Sequence, residues 1–256
     1  MGKGLSLALS RAGYTVTGVA SRTRGDAQKV VDASDIVFLT VPDDAIAAVS
    51  SSLHWKTQSA VHCSGAAELS VLKTNGSVGG FHPLVMFADP EVAARNIAGA
   101  AIAVEAEGDL RNKLTEMVKA LGARLLVIPK GSRAAYHAGA HYAAAFVCAS
   151  LAQGVDVWGR LGFAPEDSLA ALTSLARGAV EAVSHSGPAR AMAGSIARGD
   201  LDTVKRHVAA LQALDARLAR DYCRAALKTV PLSLAAGGMS AARADEIRAF
   251  LEASSH

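Results

Sequence analysis

The sequence predicts an α/β fold, a doubly wound parallel sheet with helices on both faces, followed by an all-helical second half. Three observations carry this. Short apolar runs alternate with segments of helical spacing as far as about residue 129. The chain is 51% hydrophobic but only 5% aromatic, so its core is built from Ala, Val and Leu, a mixture that suits helices on a parallel sheet. From Ser132 onward the pattern is Ala/Leu helical, broken only by turns such as "LGFAPED", "HSGPARAMAG" and "AAGGMS". The 256 residues can bury a substantial core in one or two domains, and the boundary is placed between 1–130 and 131–256.

The elements follow in order. Lys3 to Arg11 has helical spacing and stops at Gly13, a C-terminal cap position. "YTVTGVAS" (14–21) is rich in β-branched residues and reads as a strand. "DIVFLTVP" (35–42) is almost continuously apolar, as a strand covered on both faces should be. "DDAIAAVSSSL" (43–53) restarts a helix, with acidic residues at its positive end. "SAVHCSGA" (59–66), "VGGFHPL" (78–84), "GAAIAVEAE" (99–107) and "ARLLVIP" (123–129) read as further strands. "LRNKLTEMVKALG" (110–122) supplies a helix before the last of them.

Charge and cysteine usage exclude several classes. Lys and Arg number 26 against 23 Asp and Glu, and the charges are interspersed, so neither nucleic acid nor a membrane surface is an expected partner. No apolar run reaches membrane-spanning length, and the opening residues do not read as a signal peptide, so none is expected. Cys63, Cys148 and Cys223 are sparse and odd in number, which fits a reduced cytoplasmic protein with small buried thiols.

The first residues point to a dinucleotide. In a G-x-G-x-x-G turn the third glycine lets the helix pack closely on its strand, and the helix N-terminus holds the pyrophosphate. Gly2 stands eleven residues before Gly13, with Leu5 and Leu9 placed to face a sheet, the register of that third glycine. The same residues also read as an ordinary amphipathic helix start. On the first reading the strand and the other two glycines would lie upstream of Met1, and NADP binding by this chain is expected to be weak or absent. Ser21, Arg22 and Arg24 follow 14–21, where such folds read the adenosine ribose. Ser and Arg there suit the 2′-phosphate of NADP, whereas an acidic residue would suit NAD.

Several motifs carry a family resemblance: "VPDDAI" (41–46), "HCSGA" (62–66), "GFHPL" (80–84), "AYHAGA" (135–140) and "GSIARGDLDTVKRHVAAL" (194–211). On these the chain resembles the Rossmann-like proteins carrying the C-terminal domain of unknown function 2520. They are relatives of pyrroline-5-carboxylate reductase and of the ketopantoate and β-hydroxyacid dehydrogenase folds. The resemblance implies an NADP-dependent oxidoreductase whose helical C-terminal domain forms a homodimer. The chain departs from the pattern in its front, in the short interval between "ASR" and "DIVFLTV", and at Ala144-Ala145, where relatives carry a polar Ser-Asn pair.

The candidate site residues lie mostly in loops that such a fold aims at its cleft. Val41, Pro42 and Asp43 end one strand and Ser64 and Gly65 the next, where the resemblance places cofactor; Asp43 also reads as a helix cap. His82, His137 and Ser64 are the candidate catalytic groups, a histidine of ordinary pKa being a suitable proton donor as hydride arrives. Arg133, Tyr136 and Arg198 are candidate substrate contacts, with Arg133 offered to a carboxylate. His137 and His141 are an i, i+4 pair, but no nearby carboxylate or HExxH pattern supports a metal. Asp200 is expected to cap the helix beginning at Leu201. The expected function is hydride transfer to or from a C=N or C=O of a small, acidic substrate. The alternative is a non-catalytic dimeric binding protein on a degenerate scaffold.

Overall fold

The apolar runs become β1 (Ile36–Leu39), β2 (Ser59–His62), β3 (Val78–Pro83), β4 (Ala101–Ala106) and β5 (Arg124–Val127), in one sheet of order β1-β2-β3-β4-β5. The computed structural model describes residues 1–256. β1–β2, β2–β3 and β4–β5 are parallel pairs, whereas β3 and β4 are antiparallel. The antiparallel junction has a local cause. After β3 the chain makes an excursion through α4 (Pro90–Asn96) and returns at the same end, where the Leu84 amide donates to the Ala101 carbonyl at 2.9 Å.

Helices cover both faces. Leu5, Ala8 and Leu9 of α1 (Gly2–Arg11), at helical i, i+3, i+4 spacing, join Leu110, Leu114 and Val118 of α5 (Gly108–Ala120) against Val61, Phe81, Ile102 and Val104. On the other face Val31 of α2 (Ala27–Asp32) and Ile46 of α3 (Ile46–Ser52) pack on Val37, Leu39 and Ala60. Alternate residues of β1 and β2 therefore serve opposite faces. Each fully buried Val or Leu contributes roughly 1.5–3 kcal/mol, so this two-sided burial is the main stabilising element.

Residues 14–21 correct the sequence reading. They form no strand: no backbone bond within the protein is made by Thr15–Ala20, and only an isolated bridge links Ser21 to Arg24. The residue pattern favours a strand, but a strand needs a ladder partner, and none lies beside it. Two helices, α2 and α4, add to the expected elements. Each opens on an aspartate cap, Asp26 accepting from the Gln28 and Lys29 amides and Asp89 from the Val92 amide.

The chain divides into two units, Met1–Ala145 and Phe146–His256. The division falls after α6 (Arg133–Ala143) rather than at 130/131, because the fully buried Arg133 ties that helix to the sheet. The second unit contains no strand. It comprises nearly all of α7 (Ala145–Arg160), with α8 (Pro165–Ser186), α9 (Leu201–Leu214), α10 (Ala216–Leu227), α11 (Val230–Ala235) and α12 (Ala241–Ala253). Val204, Val208, Cys223, Val230, Ile247 and Leu251 form its core, and Asp200 caps α9 through the Thr203 amide at 3.0 Å. No helix is long and apolar enough to cross a membrane.

Candidate functional site

The site lies at the carboxyl ends of β1, β2 and β3, the end at which open α/β sheets bind ligands. The loop after β1 carries Val41, Pro42 and Asp43, and the loop after β2 carries Ser64 and Gly65. Asp43 does not cap a helix with its side chain; Pro42 occupies the cap position of the 3-10 turn Asp43–Ala45. The Asp43 carboxylate instead accepts from the Ser64 hydroxyl at 2.6 Å, tying the two loops together. The same hydroxyl oxygen accepts from the Ala66 and Ala67 amides at 3.1 and 2.9 Å. Its only proton and both lone pairs are thus engaged. In this structure the hydroxyl that the sequence offers as a catalytic group shapes the loop.

Arg133 is similarly committed. One guanidinium nitrogen, Nη1, donates to Glu105 Oε2 at 2.7 Å, and Nη2 donates to the Ser64 carbonyl at 2.6 Å. The side chain is 0% exposed and its Nε has no partner. It reaches this position because β3 carries Gly80, where a Cβ would stand 2.6 Å from Nη1. Both terminal nitrogens of Arg133 are thus engaged within the sheet unit, whereas the sequence reading offered its charge to a substrate carboxylate.

His82 and Tyr136 form a hydrogen-bonded pair at the end of β3. His82 Nδ1 and the Tyr136 hydroxyl are 2.8 Å apart, and the His82 ring meets His137 edge-on at 5.7 Å between centroids. His137 in turn packs against His141 at 4.7 Å. Gly65 leaves room for this cluster: a Cβ there would lie 2.5 Å from His137 Cδ2 and 2.9 Å from His82 Cε1. Burial, then the neighbouring His137 and Arg133, lower the His82 pKa from 6.5 to about 4, against a weak opposing pull from Asp43. His82 is accordingly neutral near pH 7, not the partly charged donor its ordinary pKa predicts. Burial raises Tyr136 to about 12, with Arg133 opposing, so the phenol keeps its proton.

The remaining candidates lie on other elements. Gly2 opens α1 beside Thr40, just past β1. Ser21, Arg22 and Arg24 are exposed on the turn closed by the Ser21 amide on the Arg24 carbonyl at 2.7 Å. Arg198 is exposed in the second unit. Cys63 is buried and its thiol is pushed up to about 12, which leaves it unreactive.

One residue was not singled out from the sequence. His62, the last residue of β2, is fully buried with neither ring nitrogen hydrogen-bonded. Burial and then Arg133 lower its pKa to about 4; Asp43 and the nearby Glu68 backbone favour the charged form too weakly to offset this. Its sequence signal was slight, a histidine inside an otherwise apolar strand.

The two lowered histidines predict acid lability with a definite sign. Between about 4 and 6.5 the unfolded chain binds more protons at these positions than the folded one, so stability rises with pH across that window. It is complete above 6.5 and is lost as pH falls through about 4. The His62 shift corresponds to roughly 3 kcal/mol. Thermal unfolding from pH 7 down to 4 should show the loss, and His62→Leu should reduce it. Identical pH curves for the two proteins would rule out His62 as a cause.

A family model, Domain of unknown function (DUF2520), matches residues 100–229. No curated protein matches the sequence. Among solved structures, protein TM1727 from Thermotoga maritima superposes with TM-score 0.69 at 21% identity, covering 78% of this chain and 79% of that one. BF3122 from Bacteroides fragilis, provisionally named an NADP oxidoreductase, gives TM-score 0.66 at 17% identity, covering 88% and 92%. The Plasmodium falciparum pyrroline carboxylate reductase with NADP bound gives 0.52 at 14%, covering 73% and 76%. At these identities the likeness is one of fold, a Rossmann-like sheet domain followed by helices.

Proposed function

The chain belongs to the DUF2520 family, and from that premise we propose that it is an NADP-dependent oxidoreductase. It transfers hydride to or from a C=N or C=O of a small substrate. The observation that carries this reading is the hydrogen-bonded His82–Tyr136 pair, packed against Gly65 and His137 where β1, β2 and β3 end. The similar structures named for NADP oxidoreduction and for pyrroline carboxylate reduction support the reaction class.

The residues present fit the cofactor. Arg22 and Arg24 are exposed, carry no ion pair and share one turn with the Ser21 hydroxyl, a set that suits a phosphate monoester. The first helical bond of α1 runs from the Leu5 amide to the Met1 carbonyl, leaving the amides of Gly2, Lys3 and Gly4 free for an anion. Bound NADP would supply or accept the hydride. Val41, Pro42 and Gly65 would border the nicotinamide, and the Asp43–Ser64 bond would keep their loops in register. The Tyr136 hydroxyl, bonded to His82 Nδ1, would move the proton at the reacting oxygen or nitrogen, with His82 as its neutral partner.

The assembly is a homodimer through the second unit. α8 is 22 residues long and buries only Ser168, while Leu169, Leu175 and Val180 are 53, 71 and 59% exposed. Leu161 and Phe163 extend the apolar surface, which is more than an isolated helical unit leaves bare.

Titration with NADPH, followed by tryptophan fluorescence, is expected to saturate at a lower concentration than with NADH. The Arg22→Ala/Arg24→Ala variant should erase the difference. Binding is expected to be weak, because Ser21–Arg24 hangs from the unpaired segment Thr15–Ala20. No response to either nucleotide, with a dimeric mass by light scattering, would favour the non-catalytic binding protein instead.

A further inference from the structure

His62, Gly80 and Glu105 are register partners across β2, β3 and β4, so they stand in one row on one face of the sheet. Arg133 fills the middle of that row: a Cβ on Gly80 would meet its Nη1, Nη2 and Cζ at 2.6, 2.8 and 3.0 Å. Nη1 donates to Glu105 on the β4 side, and Nη2 donates to the Ser64 carbonyl just beyond β2. The neighbour on the β2 side of the row is His62, fully buried and bonded through neither ring nitrogen. Arg133 Nε, which shares an edge of the planar guanidinium with Nη2, is also buried without a partner. A donor and an acceptor left unmade side by side are destabilising, and one water molecule joining them relieves both.

The row also sets a register. Tyr136 and His137 follow Arg133 at i+3 and i+4 and share its face of α6, while His82 follows Gly80 by two residues and shares its face of β3. Arg133 seated on Gly80 therefore brings Tyr136 and His137 beside His82, where the 2.8 Å bond and the 5.7 Å ring contact are made. A slip of α6 by one turn, about 5.4 Å, would break both.

We propose that His62 is a positioning residue of the site. Through one buried water, which accepts from Arg133 Nε and donates to the ring, it holds the guanidinium on Gly80 and so keeps Tyr136 on His82. The catalytic consequence rests on the hydride-transfer reading above; the geometric one does not. The charged groups facing His62 are Arg133 from α6 and Asp43 from the loop after β1, with Glu105 of β4 beyond the guanidinium. Among them the ring is neutral near pH 7 and keeps a lone pair for the water. A cation in the water's place would be repelled by the guanidinium, and an anion would need a second positive partner that the neutral ring does not supply.

The test compares the full chain with His62→Leu, which removes the acceptor at similar volume, and with His62→Gln, which keeps one. By NMR, the Arg133 Nε–H proton of the unaltered protein should show cross-relaxation with a long-lived water. His62→Leu should abolish that contact and the downfield signal of the proton between Tyr136 and His82 Nδ1; His62→Gln should keep the downfield signal. In the leucine variant kcat should fall about tenfold while KM changes by less than about twofold, and glutamine should restore kcat. The proton signals need no activity. Failure of the NADP assignment would leave all three proteins without turnover but would not alter these signals, so the two failures are distinguishable. An Arg133 Nε–H without a water contact in the unaltered protein would overturn the proposal, and that measurement stands even if the leucine variant does not fold. So would a Tyr136–His82 signal that persists in the leucine variant, or one lost equally in both variants, which would make His62 a packing residue only.

Discussion

Replacing Arg133 by methionine is expected to lower the stability of the sheet unit by about 3–5 kcal/mol, because it leaves a partly buried carboxylate and a backbone carbonyl without their donor. The two bonds run to different elements, Glu105 on β4 and the Ser64 carbonyl beyond β2, so one guanidinium joins α6 to two strands' ends. Lysine should not rescue: a single ammonium on a flexible stem cannot reproduce a planar fork donating in two fixed directions. The loss is read from urea unfolding followed at Trp55 in a Trp158→Phe background, as a lower midpoint at unchanged slope. A second readout is specific to charge. Arg133 depresses both His62 and His82, so in the methionine variant their titrations should move upward from about 4 toward 6.5. Unchanged histidine titrations in a folded variant would show that Arg133 does not set them.

Removing the His82 imidazole by His82→Ala is expected to cut turnover by about 10²–10⁴-fold while the fold persists, the range ascribed to a positioned proton-transfer group. Tyr136→Phe should fall in the same range, since it removes the hydroxyl bonded to His82 Nδ1. His137→Ala opens the opposite wall against Gly65 and should likewise lower turnover. The pH profile separates this site from one built on an ordinary histidine. With His82 near 4 and Tyr136 near 12, turnover should be flat through neutrality, with no limb at 6.5. Full activity in the His82 and His137 variants together would reject the assignment of proton transfer to this cluster.

Much of this protein is written locally. The alternation of β1 and β2 between two helical layers, the stop of α1 at Gly13 and the cap of α9 by Asp200 follow from periods and caps that a few neighbouring residues encode. The caps of α2 and α4, Asp26 and Asp89-Pro90, were equally local signals. The strand ends that carry the candidate residues were also legible, because they fall where apolar runs give way to "VPDD", "CSGA" and "FHPL".

The chemistry of each side chain was decided at a distance. Whether an arginine binds substrate or a sheet depends on Gly80 and Glu105, which stand 53 and 28 positions away along the chain. Whether a histidine is charged depends on how much water its neighbours exclude, and no stretch of sequence around His82 states that burial. The fate of residues 14–21 rests on the same principle. Their β-branched pattern is an intrinsic preference, but a strand exists only through hydrogen bonds to another strand, so the ladder decides whether that preference is realised.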